Sequence, residues 1–174
     1  MAQLTIYMVE HLFSRPDWEK EWNAWYEGNL KVLLGVPGFL TGQRFRSAGV
    51  APRYMAMYTV DSPAVFESAA YKTAGGGGTN SQHFREAYEI WIRNLFDVTQ
   101  AIPNVGPQDY LLVEDTANGN APLNPGVQRM TCSGLHKTTP FRCLSVLQSP
   151  PQALPPNAIC YRAITAQQGP LYKV

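Results

Sequence analysis

The chain has 174 residues, 45% of them hydrophobic, and a formal net charge of +1. That is enough for the core of one ordinary domain. It offers no basic patch for a phosphate backbone and no apolar run near the roughly 20 residues that span a bilayer. Nucleic acid and membrane are therefore not expected partners.

Residues 3–12, QLTIYMVEHL, are short and β-rich, and Ser14-Arg15-Pro16 bounds them. They read as a first strand rather than a signal peptide, because no basic segment precedes them. Ser14 is a plausible helix N-cap with Pro16 in the first turn and Asp17 three residues on. The helix that follows carries Trp18, Trp22, Trp25, Asn29 and Val32 on one stripe, widened by Leu30 and Leu33. Gly35 and Pro37 end it. Two β-rich runs between residues 38 and 60 flank Ala48–Pro52 and read as a hairpin. Residues 62–73 read as a short helix with Ser62 as cap and Pro63 at its first position. Gly75–Gly78 form a flexible loop. Residues 81–98 read as a second amphipathic helix, with Phe84, Tyr88, Trp91 and Leu95 in line.

After Pro103 the pattern changes to four short β-rich runs, DYLLVED, QRMTCSG, FRCLSVL and AICYRAI, with no convincing long helix. Two echoes link the halves. TIYMVEHL resembles DYLLVEDT, and the segment from Gln43-Arg44 to Ser62-Pro63 resembles that from Gln128-Arg129 to Ser149-Pro150. A duplication whose second copy has lost its helices accounts for both. The expected organisation is one domain, 1–174, with a half at 1–104 and a degenerate β-rich half at 105–174. The three cysteines, Cys132, Cys143 and Cys160, include no C-x-x-C pair, which fits a reduced, cytoplasmic protein. Cys132 and Cys143 could meet across a hairpin, so a disulfide between them stays open.

The order β-α-β-β-α is most of a ferredoxin-like unit, with two helices on one face of an antiparallel sheet. The expected fold class is α+β. The other face must be covered by a second sheet, from this chain or from another copy, to make an α+β barrel. WEKEWNAWYEGNLKVLLGVPGFLTGQRF followed by RYMAMYTVDSPAVFES resembles the EthD-like branch of the dimeric α+β barrel superfamily over about residues 3–97. The distinctive part is the P-G-F turn after an aromatic helix. The resemblance implies a pocket between the sheet's inner face and its partner sheet, a homodimer, and either cofactor-free isomerase, cyclase or decarboxylase chemistry or a haem-using monooxygenase. Many relatives carry His in the aromatic helix where this chain has Asn29, so no acid or base transfers to that position.

Strand alternation puts Leu4, Ile6 and Met8 toward the helices and Tyr7, Val9 and His11 toward the barrel. His11 with Tyr7 is a candidate acid–base pair, since imidazole titrates near neutrality. Arg44 could hold a carboxylate or enolate in two hydrogen bonds, and Tyr58 could donate to an oxyanion. His83 follows the glycine loop, where it could act under a mobile lid or ligate haem. His136 falls in a predicted turn. Asn29, Trp25, Tyr26, Trp91 and Tyr88 are candidate substrate-binding residues, the remaining Trp residues being core. No spacing suggests a metal site, a phosphate loop or a covalent nucleophile. The leading expectation is a cofactor-free lyase or isomerase acting on an aromatic or apolar carbonyl or carboxylate compound. The alternatives are a haem-dependent monooxygenase and a protein that only binds its small molecule.

Overall fold

The computed structural model describes residues 3–48, 53–98, 100 and 102–172. Eight strands are present: β1 (Leu4–Phe13), β2 (Phe39–Ser47), β3 (Arg53–Val60), β4 (Tyr88–Val98), β5 (Tyr110–Thr116), β6 (Val127–Leu135), β7 (Phe141–Leu147) and β8 (Ala158–Ala163). Helix α1 spans Glu19–Leu34 and the short α2 spans Ala69–Thr73. The strands close a barrel in the order β1-β3-β2-β8-β5-β7-β6-β4, every neighbour antiparallel. One chain therefore supplies both sheets. Read from β4, the order is β4-β1-β3-β2 and then β8-β5-β7-β6, the same sequence with four added to each number.

Two apolar clusters hold the molecule. One fills the barrel, with Ile6, Met8, Phe45, Met57, Phe96, Leu111, Met130, Leu144 and Tyr161. The other lies outside it, between the first sheet and α1, with Tyr7, Val9, Trp22, Tyr26, Leu30, Phe39, Tyr58 and Leu95. Gly42 lets the helix approach β2, because a Cβ there would stand 3.0 Å from both Leu30 and Tyr58. Inside the barrel Arg142 joins β7 to β1 and β5. Its Nη1 meets Glu10 Oε2 at 2.7 Å, and its Nε and Nη2 meet Asp115 at 2.6 and 3.0 Å. A cation fully buried in this way needs such partners.

Several expectations change. Leu4, Ile6 and Met8 face the barrel interior, while Tyr7, Val9 and His11 face the helix. The barrel interior is packed with apolar side chains, which fill the space where a pocket between the two sheets was expected. The helix expected over 81–98 is a 3-10 segment, Gly76–Ala87, followed by β4. Ile90, Trp91, Ile92, Phe96 and Val98 are β-branched or aromatic and favour a central strand, and pairing with β1 on one side and β6 on the other outweighs the helical spacing. The segment 62–73 is likewise a 3-10 turn, Pro63–Glu67, capped by Ser62, and then α2, capped by Ser68. Helix α1 begins five residues after Ser14, whose hydroxyl instead donates to the Ala87 carbonyl at 3.2 Å. Its buried stripe is Trp22, Tyr26, Leu30, Leu33 and Leu34, and Val32 is 48% exposed. The tip of the first hairpin, residues 49–52, lies outside the described residues. Cys143 pairs with Arg129 rather than Cys132, and all three cysteines are free thiols. No helix of the described residues is long and apolar enough to cross a membrane.

Candidate functional site

The outer face of the first sheet, α1 and the glycine loop enclose a narrow slot. Its floor comes from β1. Alternation brings Tyr7, Val9 and His11 to one side of the strand, and the register pairs His11 with Trp91 and Val9 with Arg93 on β4. A bulge opposite Leu12 and Phe13 skips Glu89 and turns Tyr88 to the same side as Trp91. Helix α1 supplies Trp25, Tyr26 and Asn29 as the opposite wall. The free space is about 390 Å³ counted out to its mouth, with an enclosed core of about 30 Å³, room for about two waters.

His11 is the buried centre of this slot. Its ring sits 4.7 Å from Tyr88, 5.3 Å from Trp22 and 5.5 Å from Tyr26, centroid to centroid. Its Nδ1 is closed off from solvent and has no hydrogen-bond partner. Burial, helped by the nearby Arg44 and Arg85 cations, pushes its pKa down to about 3. It is therefore neutral throughout the ordinary pH range. Tyr7 stacks on Tyr58 at 5.7 Å. Burial holds both phenols well above their ordinary pKa, and each raises the other or is raised by a neighbouring tyrosine, Tyr71 in the case of Tyr7.

The loop Gly75–Gly78 covers the slot. Gly75, Gly77 and Gly78 have φ of +76°, +74° and +85°, the left-handed region that side chains resist. A Cβ on Gly76 would lie 2.4 Å from the Tyr71 ring. The Gly77 amide donates to Tyr71 Oη at 2.9 Å, and the Ser81 hydroxyl donates to the Gly78 carbonyl at 3.1 Å. Asn80 Nδ2 donates to Asn29 Oδ1, joining the loop to α1 across the slot.

Seven of the expected site residues thus meet here: Tyr7, His11, Trp25, Tyr26, Asn29, Tyr88 and Trp91. Three do not line it. Tyr58 lies behind Tyr7, fully buried, its hydroxyl unpartnered. Arg44 lies behind Tyr26, its guanidinium 4.4 Å over that ring and its Nη2 donating to Asn23 Oδ1 at 2.8 Å. His83 is exposed on the outer side of the Trp25 wall, edge-on to that indole at 5.9 Å. His136 is also exposed, accepting from the Arg93 amide at 3.2 Å. Arg93, Tyr71 and Asn80 line the slot without having been expected. Arg93 was hidden by the helical reading of β4; as a strand, period two places it beside Trp91.

A haem does not fit these residues. A slot of this volume cannot hold a tetrapyrrole, His11 is boxed by three rings, and His83 is outside the wall. The walls are aromatic and the polar groups among them include His11, Asn29 and Arg93, so the slot, which holds only about two waters as it stands, would suit a small flat aromatic body once the glycine loop opens.

Solved structures match the chain over nearly its whole length. An anthrone oxidase-like protein is 12% identical, covering 100% of this chain and 96% of that one, with a TM-score of 0.56. A candidate monooxygenase from Fusobacterium nucleatum subsp. nucleatum is 11% identical, with 100% of both chains covered and a TM-score of 0.59. A candidate monooxygenase from Lactobacillus acidophilus NCFM is 10% identical, covering 98% and 99%, with a TM-score of 0.55. All three share with this chain the fold of a closed antiparallel barrel with helices outside it. No family model matches the chain, and no curated protein is a significant match in sequence. At these identities the likeness concerns the fold.

Proposed function

We propose that the chain is a cofactor-independent enzyme that joins O2 to a planar aromatic carbon acid, a compound whose carbanion is delocalised into a ring carbonyl or phenol. The observation that carries this reading is the lidded aromatic slot with a buried, neutral His11 at its floor. Its setting supports it: the fold is shared with an anthrone oxidase-like protein and with candidate monooxygenases. In this reading the substrate lies flat between Tyr88, Trp91 and Trp25, with its enolate oxygen near Arg93. His11, uncharged, accepts a hydrogen bond, and the glycine lid excludes water. The activated CH2, acidified by the ring carbonyl or phenol, loses its proton to bulk water before the lid closes, so no base of the slot is required. The carbanion passes one electron to O2, and the two radicals combine in a C–O–O bond. The distal oxygen takes a proton, and loss of water leaves a ketone. One O2 is consumed and one water released, with no outside reductant.

A lyase or isomerase using the same enolate is the second reading, favoured by Tyr7 and His11 sharing the slot. It must take a proton from one substrate atom and return it to another inside the closed slot, where water cannot stand in. An imidazole at about 3 and phenols pushed up are both poorly matched to that task near neutrality. Membership of the EthD-like branch, a duplication behind the matching strand orders and a homodimer belong to the same proposal.

The test is oxygen uptake by the purified, chelator-treated protein given anthrone. Expected are protein-dependent uptake, one labelled oxygen in the product from 18O2, and a fall of about tenfold or more in the His11→Phe variant. Turnover of a carbonyl substrate without oxygen uptake moves the assignment to the second reading. Turnover of neither sinks both.

A further inference from the structure

We infer that the ligand of this slot is an aromatic anion, an arene carboxylate whose negative group is held by Arg93, the one cation among the slot's lining residues. The inference rests on the slot being the functional site and names the class of compound it takes.

The charge inventory is one-sided. No aspartate or glutamate lines the slot. Arg93 lines it, and its guanidinium lies 4.5 Å from the Trp91 ring centroid. Arg85 lies 4.0 Å from the same ring. Arg44 stands behind the Tyr26 wall. Among the described residues the ion pairs of the chain use Arg15, Arg46, Lys72 and Arg142, and neither Arg85 nor Arg93 takes part in one. Arg93 Nε is closed off from solvent without any hydrogen-bond partner. A buried donor on a cation is costly to leave unmatched. A carboxylate accepting from the guanidinium edge removes that cost, and the fork of Arg suits it.

The aromatic half of the ligand is set by the walls. Trp91 is held in place by both guanidiniums, and Trp25 and Tyr26 face it across the slot. Arg85 Nη2 also donates to the Gly78 carbonyl of the lid at 3.3 Å. Arg85 thereby ties the Trp91 wall to the lid. The neutral state of His11 comes first from its burial, and Arg44 and Arg85 add to it by disfavouring a further positive charge there.

The test compares 2-naphthoate with its uncharged isostere 2-naphthamide by quenching of Trp fluorescence. Expected is binding of the acid at least tenfold tighter than the amide at low salt. That preference is expected to fall to within about twofold in Arg93→Met, which keeps the stem on Trp91 but removes the charge. Arg93→Lys should recover only part of the preference, because a point charge lacks the fork. Equal binding of acid and amide by the unaltered protein, or a preference that survives Arg93→Met with its fold intact by circular dichroism, overturns the inference. Binding of neither compound overturns it too, together with the aromatic slot. Turnover is not read in this experiment, so a failed oxygen assay beside a clear acid preference would remove the proposed reaction and leave the ligand class standing.

Discussion

The two halves of the barrel share a strand order and differ in what covers them. In the first, β3 buries seven of its eight residues, because one face meets the barrel core and the other meets α1 and its neighbours. In the second, β6 buries one of its nine, since no helix of the described residues lies over that sheet. Only loops approach it, as where Gly119 packs against Phe141. The sheet alone makes a barrel with a packed interior. The site exists where a helix and a lid stand off one outer face and leave a slot between. A wider apolar groove on the bare side, lined by Tyr110, Leu154, Ile164 and others, has no such cover.

The difference is broken most directly by truncating the residue that ties the cover down. Trp22 is fully buried, stacks on Phe13 at 4.7 Å and donates from Nε1 to Tyr88 Oη at 2.9 Å. Trp22→Ala is expected to cost about 3–5 kcal/mol of unfolding free energy in urea titration. Leu112→Ala, on the half-buried outer face of β5, is expected to cost about 1 kcal/mol. Equal costs would mean that both outer faces are packed alike, contrary to the comparison.

A second test uses His11, whose ionisation below neutrality the cover controls. The His11 pKa is lowered by burial from 6.5 to about 3, so the unfolded chain binds a proton that the folded chain refuses. Stability from this group is full above about pH 6.5 and is lost as pH falls toward 3, by about 1.4 kcal/mol per unit and about 5 kcal/mol in all. The second half contributes no buried imidazole to this window, because His136 is exposed. His11→Phe should remove this part of the acid sensitivity while other groups keep theirs. A pH–stability curve unchanged between 6.5 and 4 in that variant would show that His11 is not held neutral.

How much of this was legible can be said residue by residue. The strand and hairpin runs of the second half were readable because turns punctuate them and one face is left half-exposed. Tyr7 with His11, and Trp25 with Tyr26 and Asn29, were readable as neighbours because period two and period 3.6 are local. Which side of the sheet they face was not. Strand β1 is apolar on both faces, so alternation gave the pairing and left the direction to tertiary packing. Strand β4 was misread because Phe84, Tyr88, Trp91 and Leu95 fit a helical stripe by chance. That error concealed Arg93, the cation that the slot uses in place of the expected Arg44.

The smallest expected effect concerns the lid, which has no counterpart in the second half. Asn80 holds it to α1 through Asn29, and one neutral hydrogen bond is worth about 1 kcal/mol net. Asn80→Ala should therefore raise the open fraction about fivefold and hardly change global stability. If entry waits on the lid, the association rate of 2-naphthoate in stopped-flow quenching rises by about that factor. The dissociation rate rises with it and leaves the affinity nearly level, because the latch is made in both the free and the bound closed forms. Asn29→Ala should do the same, and the double variant should do no more than either, since the two side chains share one bond. An association rate that does not move in either single variant would place the barrier elsewhere, at Tyr71 and the Gly77 amide. The glycine loop would then be a fixed wall, and the slot would differ from the bare outer face of the second half in its cover but not in its ability to open.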